Sequence, residues 1–297
     1  MTVTTRSPRP APATAREGKH RTIGGWQVAQ LVGRGAWTDV YRARPAGASG
    51  DSPADYAVKV LRSEFQKDRL AIGMLQREAF VARQVSHPHL ATVLQSHVEE
   101  GPYYLVSPYL SGVTLKQLLA TGKRLAVPHA LWMVRQTAEA LACLHEAGWL
   151  HADVNPANAI VARSGHVTLI DLGLARKLEG EASISRQTLA GTPAYMAPEL
   201  FQPSQTLTTA VDVYSLGVML YEVLVGSLPF EDEDPMGLVN AHLETPPPGL
   251  RQKLPHVPTR VARLVRRMLA KEPLRRPAID ELIATLAMLE IDTFSER

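Results

Sequence analysis

The hydrophobic period of the chain changes near residue 110, and that change limits the folds open to it. From Gly25 to about Tyr109, the runs "WQVAQLVG", "DVYRARP", "DYAVKVLR", "ATVLQSHVE" and "PYYLVSPYL" are separated by Gly, Pro and Asp, the pattern of strands in an antiparallel sheet. Among them "DRLAIGMLQREAFVARQV" reads as a helix. Beyond residue 112, Leu131, Val134, Ala138, Leu141 and Leu144 recur at helical spacing, with Pro128 at the start and Gly148 as a stop. Further helices are predicted around 211–225, 258–270 and 278–290, the last opened by Pro277. The expected class is therefore α+β: a small antiparallel-sheet lobe with one main helix over 25–109, a larger helical lobe over 110–292, and a short tail over 293–297.

Composition is compatible with two lobes, since 45% of the 297 residues are hydrophobic. The net charge is +3, but residues 1–22 hold five basic residues against Glu17 and account for +4, leaving about −1 for the rest. The pI of 9.0 thus describes the tail, and the body carries no basic footprint for nucleic acid. Residues 1–24 read as a disordered basic leader, rich in Pro, Ala, Thr and Arg, with no apolar run of the kind a secretory signal needs. The most apolar stretch, Val211 to Gly226, carries Asp212 and Glu222 and is shorter than the roughly 18 to 20 residues of a membrane span. It is expected as a buried helix. Cys143 is the single cysteine, which precludes an internal disulfide, suits a reducing compartment and favours core packing over reactivity. The two histidines of "SHPHL", residues 86–90, are too few for zinc.

Four stretches carry candidate chemistry. In "LVGRGAWTDVY", Gly33 and Gly35 would let backbone amides approach a polyphosphate with no Cβ in the way, although a ligand-free hairpin would look the same. "YAVKV" sets Lys59 in an apolar strand, where an ammonium needs an acidic partner. Glu78, the acid on a largely apolar helix face, is the candidate, with an ordinary surface charge as the alternative. "HADVNPAN" holds Asp153, Asn155 and Asn158, and "VTLIDLGLA" reads as a strand ending in Asp171 and Gly173. One carboxylate to orient a hydroxyl, with an Asp and an Asn as oxygen ligands for Mg²⁺, would suffice for phosphoryl transfer.

In this order, over about residues 25–290, these motifs resemble those of the protein kinases, and the bacterial serine/threonine kinases are the nearest in flavour through "DVYSLGVMLYEVLVGSLPF". The resemblance implies a two-lobed kinase fold, with ATP and Mg²⁺ as cofactors. It implies that Gly33, Gly35 and Val40 cover ATP, that Lys59 holds its α- and β-phosphates, and that Glu78 pairs with Lys59. Ala57, Ser107 and Tyr109 join the nucleotide site. Asp153 is the implied catalytic aspartate, and Asn158 and Asp171 the implied metal ligands. "GTPAYMAPE", Gly191 to Glu199, matches the end of the activation segment, with Thr192 where serine/threonine-specific members place a threonine. Arg276 resembles the partner of Glu199, and Asp212 the helix aspartate that supports the catalytic loop.

The pattern departs at several positions. Ala152 stands where an arginine usually clamps an activation-segment phosphate, so that phosphorylation of Ser183, Ser185 or Thr188 loses one ordering route unless Arg176 and Lys177 substitute. Asn155 stands where a lysine usually neutralises the transferring phosphoryl group. By analogy with losing one preorganised donor at a developing charge, that costs on the order of 10² to 10³ in rate. Thr38 replaces the third glycine and Leu172 the usual phenylalanine; neither removes a charge. Ser107, before the hinge, is smaller than usual, so a cavity is expected behind the adenine. The reading is a cytoplasmic serine/threonine protein kinase of reduced activity, acting on a protein hydroxyl, with autophosphorylation on the leader or on 183–188. Its input would come from a regulatory partner protein. The alternative is a nucleotide-binding pseudokinase that serves as a signalling scaffold.

Overall fold

The computed structural model describes residues 21–49, 52–122, 124–178, 191–202 and 206–295. The leader as far as residue 20 and Ser183, Ser185 and Thr188 lie outside these residues. Six strands form the first lobe: β1 (Thr22–Ile23), β2 (Trp26–Arg34), β3 (Thr38–Pro45), β4 (Tyr56–Leu61), β5 (Gln95–His97) and β6 (Tyr104–Pro108). They pair antiparallel in the order β1-β2-β3-β4-β6-β5. In β3 the period of two is plain, with Asp39, Tyr41 and Ala43 buried on one face. The main helix of this lobe, α1 (Arg69–Ala82), starts where the Asp68 side chain accepts a hydrogen bond from the Ala71 amide. It buries Ala71, Leu75 and Ala79 against Leu61 and Leu105 of the sheet.

Most of the predicted strand "ATVLQSHVE" does not join the sheet. Leu90 bridges to Leu169, and the Ala91 amide donates to the Leu169 carbonyl at 2.9 Å, so this end of the segment is held by the other lobe. Contact with β6 begins at the Leu94 amide, which donates to the Val106 carbonyl, and continues through Gln95–His97.

The second lobe contains α2 (Leu115–Leu119), α3 (Val127–Glu146), α4 (Ala210–Val225), α5 (Pro235–Leu243), α6 (Leu250–Lys253), α7 (Thr259–Met268) and α8 (Ile279–Ser295). The five apolar residues of the α3 stripe are all fully buried. This helix packs against α4 and α8. In α4 every residue from Val211 to Val225 except Glu222 is buried, so its uniform hydrophobicity marks the centre of the core. Among the described residues no helix is long and apolar enough to cross a membrane. Cys143 is partly buried on α3 and packs against the core.

Short pairings fix the loops at the junction of the lobes: β7 (Val113–Thr114), β8 (Trp149–Leu150), β9 (Ala159–Val161), β10 (Val167–Leu169) and β11 (Arg176–Lys177). They combine as β10-β9-β7 and β11-β8. The strand predicted to end in Asp171 stops at Leu169, because Asp171 takes a left-handed backbone with φ 69°, incompatible with a strand. Arg276 closes the helical lobe from below: Nη1 and Nη2 donate to the two Glu199 carboxylate oxygens at 2.6 and 2.8 Å, with both residues buried.

Candidate active site

The Lys59 side chain leaves β4 toward α1, and its Nζ lies 2.7 Å from Glu78 Oε2 and 3.0 Å from Asp171 Oδ1. One ammonium thus serves two carboxylates. Burial opposes the charge on Lys59, but Asp171 and Glu78 outweigh it and hold its pKa above the ordinary lysine value. Although the Asp171 side chain is 42% exposed, the cleft walls around it still favour its neutral form; Lys59 and the Gly173 amide outweigh them and keep that carboxyl below its usual range. Glu78 is the less compensated acid: burial, helped by the charge of Asp171, pushes it up to about 7 against the pull of Lys59.

The loop "HADVNPAN" is suspended from α4. Asp212 Oδ2 accepts from the His151 amide and from His145 Nε2, each at 2.9 Å, and Oδ1 accepts from the Ala152 amide at 2.8 Å. Ala152 is held at φ 62°, a strained conformation for a residue with a Cβ, and the amides it presents to Asp212 explain how it persists. Asp153 Oδ1 accepts from the Thr192 amide and hydroxyl, each at 3.1 Å, and Oδ2 accepts from Asn158 Nδ2 at 2.7 Å. Burial raises the Asp153 pKa, opposed by His151 and by the hydrogen bond from Asn158.

Asn155 is buried, and its amide does not reach into the cleft. Nδ2 donates to the Asp153 carbonyl at 3.0 Å and to Thr192 Oγ1 at 3.2 Å, while Oδ1 accepts from the Ala157 amide at 2.9 Å.

A cleft of about 570 Å³ runs from the β2–β3 turn to this loop. Of the sequence candidates, Gly35, Lys59, Glu78, Asp153 and Asp171 line it, as do Thr38 and Thr192. Gly33, Val40, Ala57, Ser107, Tyr109, Asn155 and Asn158 do not. The sheet register nevertheless aligns several of these: Gly33 faces Val40, Val40 faces Lys59, and Ala57 faces Ser107. A register shift at Leu31/Gly33 and a turn closed by Gly35 N to Thr38 O at 2.8 Å shape the glycine hairpin. A Cβ on Gly35 would meet Thr38 Oγ1 at 3.3 Å, so the threonine in place of the third glycine leans over the turn. Tyr109 donates its amide to Asp55 and lies under the Arg42 guanidinium at 4.5 Å.

The donor set fits a nucleotide polyphosphate with a hard cation. Lys59 supplies the positive charge, and Asp171, whose side chain is 42% exposed, keeps Oδ2 clear of hydrogen bonds among the described residues. Because Asn158 Nδ2 is committed to Asp153, its Oδ1 is left as the ligand atom.

His145, Tyr195 and Glu222 were not singled out by the sequence. Tyr195 of the "GTPAYMAPE" segment donates to Glu222 Oε2 at 2.6 Å, clipping that segment to α4. Neither this pair nor His145 with Asp212 leaves a spacing signal, since the contacts span 27 and 67 residues.

A curled sheet lobe over a helical lobe, with a lysine between two acids at their junction, is the architecture of the protein kinases. A profile of the protein kinase domain matches residues 26–286. The chain is 30% identical over 263 residues to a probable serine/threonine-protein kinase PknB of Lactococcus lactis, covering 88% of this chain and 41% of that one. It is 33% identical to the serine/threonine-protein kinase pkn3 of Myxococcus xanthus, covering 86% and 48%, and 35% identical to PknA of Mycobacterium tuberculosis, covering 74% and 51%. The chain belongs to the protein kinase family, and it spans about half or less of the length of these relatives.

Proposed function

We propose that the chain is a serine/threonine protein kinase that transfers the γ-phosphoryl group of Mg·ATP to a protein hydroxyl, with Asp153 orienting the nucleophile. The observation that carries this reading is the state of the Asp153 carboxylate. Thr192 occupies two acceptor positions on Oδ1 and Asn158 one on Oδ2, which leaves one lone pair of a fixed carboxylate for an incoming hydroxyl. The substrate oxygen bonds to the γ-phosphorus, the bond from that phosphorus to the β–γ bridging oxygen breaks, and ADP leaves with its electrons. The hydroxyl proton passes toward Asp153, whose burial-raised basicity favours accepting it. Lys59 holds the α- and β-phosphates, while Gly33, Gly35 and Val40 cover the nucleotide and Ala57, Ser107 and Tyr109 receive the adenine. Mg²⁺ held by Asp171 and Asn158 would offset charge on the phosphate oxygens. Asn155 positions the loop and supplies no cation, which slows the reaction on the order of 10² to 10³ without abolishing it.

The named activities of the relatives support this reading, as does the retention of Lys59, Glu78, Asp153, Asn158 and Asp171 together. A second reading, a nucleotide-binding scaffold, draws on the neutral and fully engaged Asn155. On this reading the kinase acts in the cytoplasm and takes its input from a partner protein.

The test is transfer of labelled γ-phosphate to the chain and to a generic basic protein, with Asp153→Ala as the control. Incorporation lost in the variant is the expected result; wild type no better than Asp153→Ala would leave the scaffold.

A further inference from the structure

The charge of about −1 outside the leader conceals a local excess of arginine. In α7, "TRVARLVRRM", Val261, Leu264, Val265 and Met268 turn inward, and Arg260, Arg263, Arg266 and Arg267 take four of the six other positions. Two of these are neutralised, Arg260 by Asp292 at 3.1 Å and Arg267 by Glu281 at 2.6 Å. Arg263 and Arg266 are exposed and have no carboxylate within ion-pair reach among the described residues.

Both border one groove of about 360 Å³ between α7 and the turn that precedes α6. Pro247, Pro248, Leu250, Ala262, Val265 and Leu269 give it apolar walls, and Arg251 adds a third guanidinium at its edge, donating to Thr259 Oγ1 at 3.2 Å. No aspartate or glutamate lines it. Three unneutralised cations around an apolar slot repel one another, a cost that an anionic occupant reverses.

The geometry points to this groove as a docking site for a partner protein, through a segment that sets a leucine-like or phenylalanine-like side chain in the slot and flanks it with aspartate or glutamate. Charge complementarity selects that occupant. Guanidinium forks match carboxylates, and the apolar walls require a side chain that bare polyanions lack. A duplex nucleic acid would need a broad basic face, which the rest of this body does not provide. The site lies apart from the cleft at Lys59 and Asp153, with no lining residue in common.

The test is selection of a displayed random 12-residue peptide library on the full chain, with counter-selection on Arg263→Glu/Arg266→Glu. Enriched peptides are expected to share a Leu, Ile or Phe flanked by Asp or Glu, to bind wild type at least about tenfold tighter than the variant, and to slow amide exchange over 247–269. Arg263→Gln/Arg266→Gln replaces the reversal should its melting temperature fall. The proposal is overturned if no peptide is enriched, if enriched peptides lack acids or bind both proteins equally, or if protection falls elsewhere. It is overturned equally if only phosphorylated peptides, a single-stranded oligonucleotide or phosphatidylserine vesicles bind in an Arg263- and Arg266-dependent way.

Discussion

The Asn155 amide donates to the Thr192 hydroxyl at 3.2 Å, and so ties the loop that carries Asp153 to the "GTPAYMAPE" segment. The same hydroxyl donates to Asp153 Oδ1, which makes Asn155 part of the scaffold that aims the carboxylate. A side chain engaged in this way cannot also neutralise a phosphate.

Asn155→Lys should therefore raise turnover, by roughly 10- to 100-fold, a fraction of the value of one electrostatic contact at a developing charge. Its four-carbon stem carries the ammonium past the loop. Asn155→Ala, which only removes hydrogen bonds, should lower stability by about 1 kcal/mol per lost bond and lower the rate as well. Phosphate incorporation and thermal melts on the two variants check this; a lysine variant no faster than wild type would show that charge at this position is not limiting.

The shared ammonium predicts a pH dependence. The ordinary value for Glu78 is 4.5 and its folded value is about 7, so between these the folded state keeps a proton that the unfolded chain has lost. Stability contributed at this site must then fall as pH rises from 4.5 to 7 and level off above. Glu78→Gln has no such slope. The difference in melting temperature between Glu78→Gln and wild type should shift in favour of glutamine from pH 5 to pH 7.5, and a constant difference would mean that both carboxylates are ionised throughout.

Much of this site was legible because burial makes demands that sequence displays. A lysine in an apolar strand requires an acid, and Glu78 is the one acid of α1, so the pair could be written down before the fold. That Asp171 is a second partner could not, because it depends on a left-handed turn after β10 where a continued strand was expected. Long helices with several periods, α3 and α4, announced themselves, whereas α2, α5 and α6, with 5, 9 and 4 residues, are too short for a period to emerge. "ATVLQSHVE" has the look of a strand, but Val93 packs against the cores of both lobes and Leu94 is exposed; periodicity records burial but not which neighbour provides it. The arginine groove escaped for the opposite reason, since a summed charge averages a local cluster away.

Asp212 should be among the least replaceable residues outside the cleft. Asp212→Ala strands two buried amides and the His145 ring nitrogen at once, and the expected loss is on the order of 3 to 5 kcal/mol. Asp212→Asn can still accept from two donors and should lose less. Its pKa is lowered from 3.8, because His145 and the loop amide outweigh burial. The stability it adds is therefore present above pH 3.8 and disappears as pH falls through the lower folded value. Chemical denaturation at pH 7 and at pH 3 should show the wild-type advantage over Asp212→Asn shrinking in acid.

Small side chains meet at the far end of the proposed nucleotide site. Ala57 and Ser107 are directly opposed in the pairing of β4 with β6, so two small side chains meet on one face of the sheet. In the function proposed above the adenine lies there, with its N6 group toward Ser107. Small residues at that point leave room that a larger one would fill, and ATP analogues with a benzyl group on N6 should bind within about tenfold of ATP. Ser107→Met should weaken the analogue by at least about tenfold while leaving ATP unchanged, since only the analogue needs the space. Competition binding on wild type and Ser107→Met separates the possibilities. An analogue excluded from both proteins would mean that a neighbouring side chain closes the gap, as dense interior packing would favour, and one admitted to both would place N6 away from Ser107.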